Sequence, residues 1–252
     1  MQLIDNPKGH FRFLSGIAPY SCGVIAVPGY EIVHVTLQRP LPYRQGFALI
    51  DQHLKAQDRS RHALCGIELR SPKPFTFAGF AGFNQGYQHV LADWDLPVGG
   101  INPVARTNVA PEVGPPAEPS LYAFSFTATC DTPTDSPTFV IAGSGEMRGA
   151  ALSPDAIVRA GETSAEALQA KAAHVMQVMQ TRLTGLGATW SDITTVDIYT
   201  VHPLQPFLAA TIVDEMGPAA VHGIHWFYSR PPIVGVEFEM DMRGVRRQIR
   251  LA

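Results

Sequence analysis

Two stretches of this chain mirror each other: Arg106-Thr107-Asn108-Val109-Ala110-Pro111-Glu112-Val113-Gly114-Pro115-Pro116 and His222-Gly223-Ile224-His225-Trp226-Phe227-Tyr228-Ser229-Arg230-Pro231-Pro232. Arg106 precedes its Pro-Pro pair by nine residues (115 − 106), and His222 precedes the second pair by the same interval (231 − 222). Each segment leads into an alternating run, Leu121 to Phe126 in the first and Val234 to Met242 in the second. A spacing that recurs at about half the chain length predicts two copies of one small domain. The copies carry Arg and His at one corresponding position, so they need not do the same job.

The 252 residues are 46% hydrophobic, enough for a sizeable core in one large domain or two small ones. Only 16% are charged and the net charge is −3, which excludes a basic surface that neutralises phosphates and so excludes nucleic acid as the expected partner. The opening MQLIDNPKGH has no basic region followed by an apolar run, and no stretch reaches the ~18 apolar residues of a spanning helix. The expectation is a cytoplasmic protein without a membrane partner. Low charge with 21 Pro and 22 Gly points to a loop-rich protein that associates with copies of itself. Cys22, Cys65 and Cys130 are far apart and odd in number, as expected of reduced thiols that pack as small hydrophobes. No Cys pair has zinc spacing and no H-E-x-x-H occurs, so neither metal nor cofactor is expected.

The second half reads as β-α-β-α-β-β. Phe139 to Gly143 is a short apolar strand ending in the turn Ser144-Gly145-Glu146. Thr163-Ser164-Ala165-Glu166 fits a capping box; Leu168, Ala172, Val175, Met179, Leu183 and Leu186 follow at helical spacing, and Gly187 can close the helix. Ile193 to Val201 reads as a strand, and Pro206 opens a helix running from Phe207 to Glu215. Gly223 to Tyr228 and Val234 to Arg243 complete the half as strands, the latter alternating with period two. The first half gives a similar order. Strands at Ser21 to Val27 and Tyr30 to Leu37 flank Pro28-Gly29 as a hairpin. A helical stripe covers Tyr43 to Leu54, and Ala63 to Leu69 is a strand. A shorter helix is read at Gln85 to Trp94, then strands at Val104 to Val109 and Leu121 to Thr127. Asp131 to Pro137 reads as a linker, which divides the chain into domains 1–130 and 131–252.

Ile17-Ala18-Pro19-Tyr20-Ser21 resembles the opening signature of the RidA/YjgF family of imine and enamine deaminases. Pro103-Val104-Ala105-Arg106-Thr107 resembles that family's segment whose Arg grips the substrate carboxylate, and Val236-Glu237-Phe238-Glu239 resembles its closing strand. The run from Glu166 to Val201 resembles its long helix and following strand. The resemblance touches most of the chain as fragments. It implies an α+β fold of two tandem RidA/YjgF-like (chorismate mutase-like) modules, each a mixed sheet backed by two helices. It implies association as a trimer of two-module chains, with active sites in clefts between modules. His222 stands where the second module should have its Arg, and the first module's strand at Leu121 to Phe126 offers no carboxylate. Tandem members of the superfamily include deaminases acting on 2-aminomuconates in aromatic degradation, closest in size, and chorismate-hydrolysing enzymes.

An enamine of a small unsaturated 2-amino acid tautomerises to an imine, water adds, and ammonia leaves. The reaction needs a cation for the carboxylate, a proton carrier and a positioned water. Arg106 fits the first need, because a guanidinium offers two parallel donors to a carboxylate. Glu237 is the candidate proton shuttle, since a carboxylate in a dry cleft can have its pKa raised; its alternative is a solvated strand face shared with Glu239 and Asp241. His222 and, less strongly, His225 can move protons near neutral pH or serve as packing residues. Gly143 and Ser144 could aim backbone amides or a hydroxyl at a substrate oxygen, or form an ordinary turn. Tyr20 and Arg148 complete the candidates. Gly143-Ser144-Gly145 lacks the G-x-S-x-G elbow of serine hydrolases. The alternatives to a deaminase are enol-ether hydrolysis of the chorismatase type and a non-catalytic module that binds small carboxylates or a partner.

Overall fold

The computed structural model describes residues 1–130, 136–149 and 152–252. Most of the expected linker, Asp131 to Pro137, therefore lies outside the described residues. Among the described residues, thirteen strands and three long helices follow one another: β1 (Leu3–Asn6), β2 (Phe11–Leu14), β3 (Gly23–Ala26), β4 (Tyr30–Pro42), α1 (Tyr43–Ala56), β5 (Leu64–Arg70), α2 (Phe77–Asp93), β6 (Ala105–Pro111), β7 (Ser120–Thr129), β8 (Phe139–Gly145), α3 (Ala165–Leu186), β9 (Thr195–Tyr199), β10 (His225–Phe227), β11 (Ser229–Arg230), β12 (Glu239–Gly244) and β13 (Arg247–Leu251).

Local chemistry explains the helices. Ser164 caps α3 by accepting the Ala167 amide at 3.2 Å, one residue later than the expected cap at Thr163. Gly187 closes the helix with a left-handed φ of 77°, a conformation that spares glycine the Cβ penalty. Thr76 Oγ1 accepts the Gly79 amide at 3.0 Å and starts α2 well before the expected Gln85. The apolar stripe of α3, with Val175, Met179 and Leu183 fully buried, packs on β8, β9 and β12. Each such side chain contributes ~1.5–3 kcal/mol by leaving water.

The strands form two mixed sheets. One runs β1-β2-β3-β8-β12-β9-β10 and carries α3; the other runs β11-β6-β5-β7-β4-β13 and carries α1 and α2. Strands are exchanged across the halves: β1, β2 and β3 join the sheet built mainly from the second half, while β11 and β13 join that of the first. A self-contained sheet per module is therefore corrected to two sheets that each draw strands from both halves. The expected hairpin about Pro28-Gly29 is also corrected. β3 pairs with β2 and β8, while β4 pairs with β7 and β13, so the chain crosses from one sheet to the other at that turn. The expected helix from Phe207 is a π-helical turn at Leu208–Val213 that tightens through Asp214–Met216 into a 3-10 segment at Gly217–His222. The strand expected from Val234 begins only at Glu239.

That shortening decides where charge goes. Met240 and Met242 pack toward α3, so Glu239, Asp241 and Arg243 project the other way, into the space between the sheets. They are buried, as are Asp197 and Arg70, and Glu68 is largely so. The solvated face, one of the two readings open for this strand, is excluded for Glu239 and Asp241 because a second sheet covers them.

Candidate active site

A cavity of about 540 Å³ is lined from both sheets and from α2 and α3. Its size is ordinary for a small-molecule site. Arg106 lies on β6 and is buried. Its Nη2 donates to Asn84 Oδ1 of α2 at 2.8 Å, and its Nη1 is buried with no partner. The guanidinium lies 4.7 Å from the Tyr87 ring centroid and 4.9 Å from that of Tyr20. Burial lowers its pKa. Asn108, two residues along β6, lines the same cavity; Ser71 Oγ donates to its Oδ1 at 2.9 Å while its Nδ2 is buried without a partner. Arg106 and Asn108 both line the cavity, and each keeps one buried donor without a partner, which is costly.

The Tyr20 signature is fastened to the Arg106 segment. Asn102 Nδ2 donates to the Pro19 carbonyl at 2.7 Å, Ser21 Oγ to the Pro103 carbonyl at 3.0 Å, and the Ser21 amide to the Val104 carbonyl at 3.0 Å. Two motifs far apart in sequence thus form one wall.

The facing wall comes from the second half. Glu239 is 4% exposed, and its carboxyl pKa is pushed up to about 8, first by burial and then by the Glu146 charge, against the opposing pull of Arg182, Arg106 and Arg70. It therefore holds its proton at neutral pH. A Cβ on Gly143 would run into Glu239 Oε1 and come within 3.0 Å of Thr107 Cγ2, so an added methyl would have to displace the carboxyl. The Gly143 amide donates to Thr107 Oγ1 at 3.0 Å, which ties β8 to β6 and leaves that N–H unavailable to substrate. Arg182 of α3 lines the cavity, its Nη1 donating to the Ala142 carbonyl at 2.7 Å and the Gly143 carbonyl at 3.3 Å. His174, Gln177, Val178 and Thr181 line it from the same helix face.

Of the sequence candidates, Arg106, Tyr20, Gly143 and Ser144 come together in this cavity. Glu237, His222 and Arg148 do not line it. Glu237 precedes β12 and turns to His202, whose Nε2 lies 2.8 Å from its Oε2. His222 is exposed at the end of the 3-10 segment, and Arg148 is exposed with a long contact to the Ile157 carbonyl at 3.5 Å. His225 pairs instead with Asp197, Nδ1 to Oδ1 at 2.9 Å, and the bond raises its pKa. Glu239, Asn84, Asn108 and Arg182 were not among the sequence candidates.

A second buried cluster lies between the sheets. Glu68, Asp197 and Asp241 bring carboxylate oxygens within 4.8 Å of one another, the geometry of a cation site. Arg243 Nη1 occupies the position a metal would need, 2.6 Å from Asp197, 3.7 Å from Glu68 and 3.8 Å from Asp241. The pairing with Arg243 holds Asp197 down at about 2 despite its burial, while burial pushes Asp241 well up. This cluster is an internal ion network.

Residues 3–249 match the family described as 2-aminomuconate deaminase CnbZ. The chain belongs to that family. It is 38% identical over 241 residues to the 2-amino-5-chloromuconate deaminase of Comamonas testosteroni, covering 95% of each chain. As a member of this deaminase family it is an enzyme acting on C–N bonds. Among solved structures it resembles a chorismatase, with a TM-score of 0.53 at 11% identity over 89% of this chain and 77% of that one. A cyanuric acid hydrolase aligns at a TM-score of 0.37 and 7% identity over 88% of this chain and 69% of that one, and no weight rests on it. The chorismatase likeness overturns the expected RidA/YjgF modules: a chorismatase-like tandem fold fits the two strand-exchanging sheets.

Proposed function

We propose that the chain hydrolytically deaminates a small 2-amino-diene carboxylate of the aminomuconate type in the cavity built around Arg106 and Glu239. One observation carries this reading: a guanidinium with an unsatisfied Nη1 and a carboxyl group that keeps its proton near neutral pH line the same cavity. The substrate's 2-carboxylate accepts from Arg106 Nη1, with Asn108 Nδ2 as a second donor. Glu239 then gives its proton to the diene carbon, and the enamine becomes an iminium. The Glu239 carboxylate takes a proton from the water that attacks C2, giving a carbinolamine. As that intermediate collapses, Glu239 gives its proton to the amine and takes one from the hydroxyl, so ammonia leaves and a 2-oxo acid remains; one water is consumed and one ammonia released. Tyr20 stacks beside the Arg106 cation, and Ser144 offers its hydroxyl to the attacking water. A group that first donates and then accepts a proton works best with a pKa close to the working pH.

The same reading includes the 130/131 joint between duplicated halves, assembly as a trimer of chains and a cytoplasmic location. Light scattering on the purified protein tests the assembly state. The activity is tested by ammonia release from 2-aminomuconate, with chorismate as counter-substrate. Ammonia from the first with no cleavage of the second is expected, and cleavage of chorismate without ammonia release from the aminomuconate would overturn the reading. Arg106→Ala should abolish turnover at substrate concentrations that saturate the parent.

A further inference from the structure

Immediately after β8, Glu146 is completely buried and faces Lys171 of α3, equally buried, at 3.1 Å. Its two oxygens accept the consecutive amides of Glu237 and Phe238, at 2.7 and 3.0 Å. Lys171 Nζ also donates to the Val158 carbonyl at 2.8 Å, and the Val158 amide donates to the Glu146 carbonyl at 2.9 Å. One buried carboxylate thus ties the end of β8, the segment near Val158 and helix α3 to the two residues that lead into Glu239. A buried ion pair is weak evidence of stabilisation, because apolar residues of equal size commonly do as well. Its place beside the cavity, between the lining residues Gly145 and Met147, points to another role.

We propose that Glu146, anchored by Lys171, is a positioning residue that fixes where the Glu239 carboxyl enters the cavity. The clamp acts through the backbone: both amides just ahead of Glu239 are held, and Gly143 leaves no slack on the opposite side. It also acts through charge. The groups facing Glu239 are Arg106 on β6, Arg182 on α3, Arg70 on β5, Tyr20 on the 17–21 turn and Glu146 itself. Of the three cations and one carboxylate in that set, only Glu146 favours the protonated acid. The inference rests on Glu239 being the proton carrier proposed above.

The test is the pH dependence of kcat/KM for the parent, Glu146→Gln, Glu146→Gln/Lys171→Met and Glu239→Gln, with thermal unfolding followed in parallel. The double substitution removes both charges together and so avoids a buried unpaired ammonium. Loss of the Glu146 charge should move the alkaline limb to lower pH in Glu146→Gln, and by less in the double variant, where the Lys171 charge leaves with it. A glutamine cannot accept from both amides, so kcat should fall by roughly tenfold with KM changed less than ~3-fold. An alkaline limb that stays in place in folded Glu146→Gln, or an undiminished kcat in the folded double variant, would overturn the positioning role. Undiminished turnover by Glu239→Gln would instead remove the proton-carrier reading on which it rests.

Discussion

Replacing Glu239 by glutamine should change the pH dependence of stability as well as turnover. The carboxyl rises from its ordinary 4.5 to about 8 in the fold. At ~1.4 kcal/mol per unit this is ~5 kcal/mol of penalty for ionising it in place. The sign follows from which state keeps the proton. The folded chain holds it while the unfolded chain gives it up, so this group's contribution is whole below a pH of about 4.5, erodes as pH rises, and is gone above about 8. Glutamine has the same shape and no such dependence. Denaturant unfolding of parent and variant across that window should show the parent losing ~1.4 kcal/mol of stability per pH unit relative to the variant. Turnover of the variant should fall by roughly 10²–10⁴-fold, the usual worth of a positioned acid–base group. Parallel stability curves for the two proteins would refute the reasoning, because they would mean that Glu239 ionises as freely in the cavity as in water.

Arg106→Lys keeps the charge but loses the fork, so a lost charge-assisted hydrogen bond of ~1.5–3 kcal/mol should lower kcat/KM by roughly 10- to 150-fold, as steady-state kinetics on the aminomuconate would show. Gly143→Ala places a methyl against the Glu239 carboxyl and Thr107; it should cost ~1–3 kcal/mol in thermal unfolding and lower kcat by more than Ala substitution at the exposed Gly82 of α2.

Arg106 could be picked out from sequence because its local segment is distinctive, and Tyr20 for the same reason; their meeting is secured by local bonds from Asn102 and Ser21. Glu239 could not. In the alternating run Val234 to Met242, Glu237, Glu239 and Asp241 occupy equivalent polar positions, and only the start of β12 at Glu239 decides which of them enters the cavity. The polar side of that strand reads as solvated because period two reports two faces without saying that both are covered. Helix α3 has the same ambiguity. Its apolar stripe marks the face on the sheet, while His174, Gln177, Thr181 and Arg182 on another face line the cavity and look like ordinary surface residues in sequence. The early start of α2 was hidden by Gly79, Gly82 and Gly86, which depress helix propensity until tertiary packing overrides it. The turn at Pro28-Gly29 gives the geometry of a reversal and no information on whether the next strand stays in the same sheet. The strand exchange by β1, β2, β3, β11 and β13 depends on long-range pairing, and these short strands carry no local mark of their partners.

A crystal structure with a non-hydrolysable 2-substituted dienoate bound to the Glu239→Gln protein tests the central claim most directly. The account predicts one carboxylate oxygen within hydrogen-bonding distance of Arg106 Nη1 and the diene carbon facing the side chain at position 239. A ligand held elsewhere, with Arg106 Nη1 still unpartnered, would contradict it.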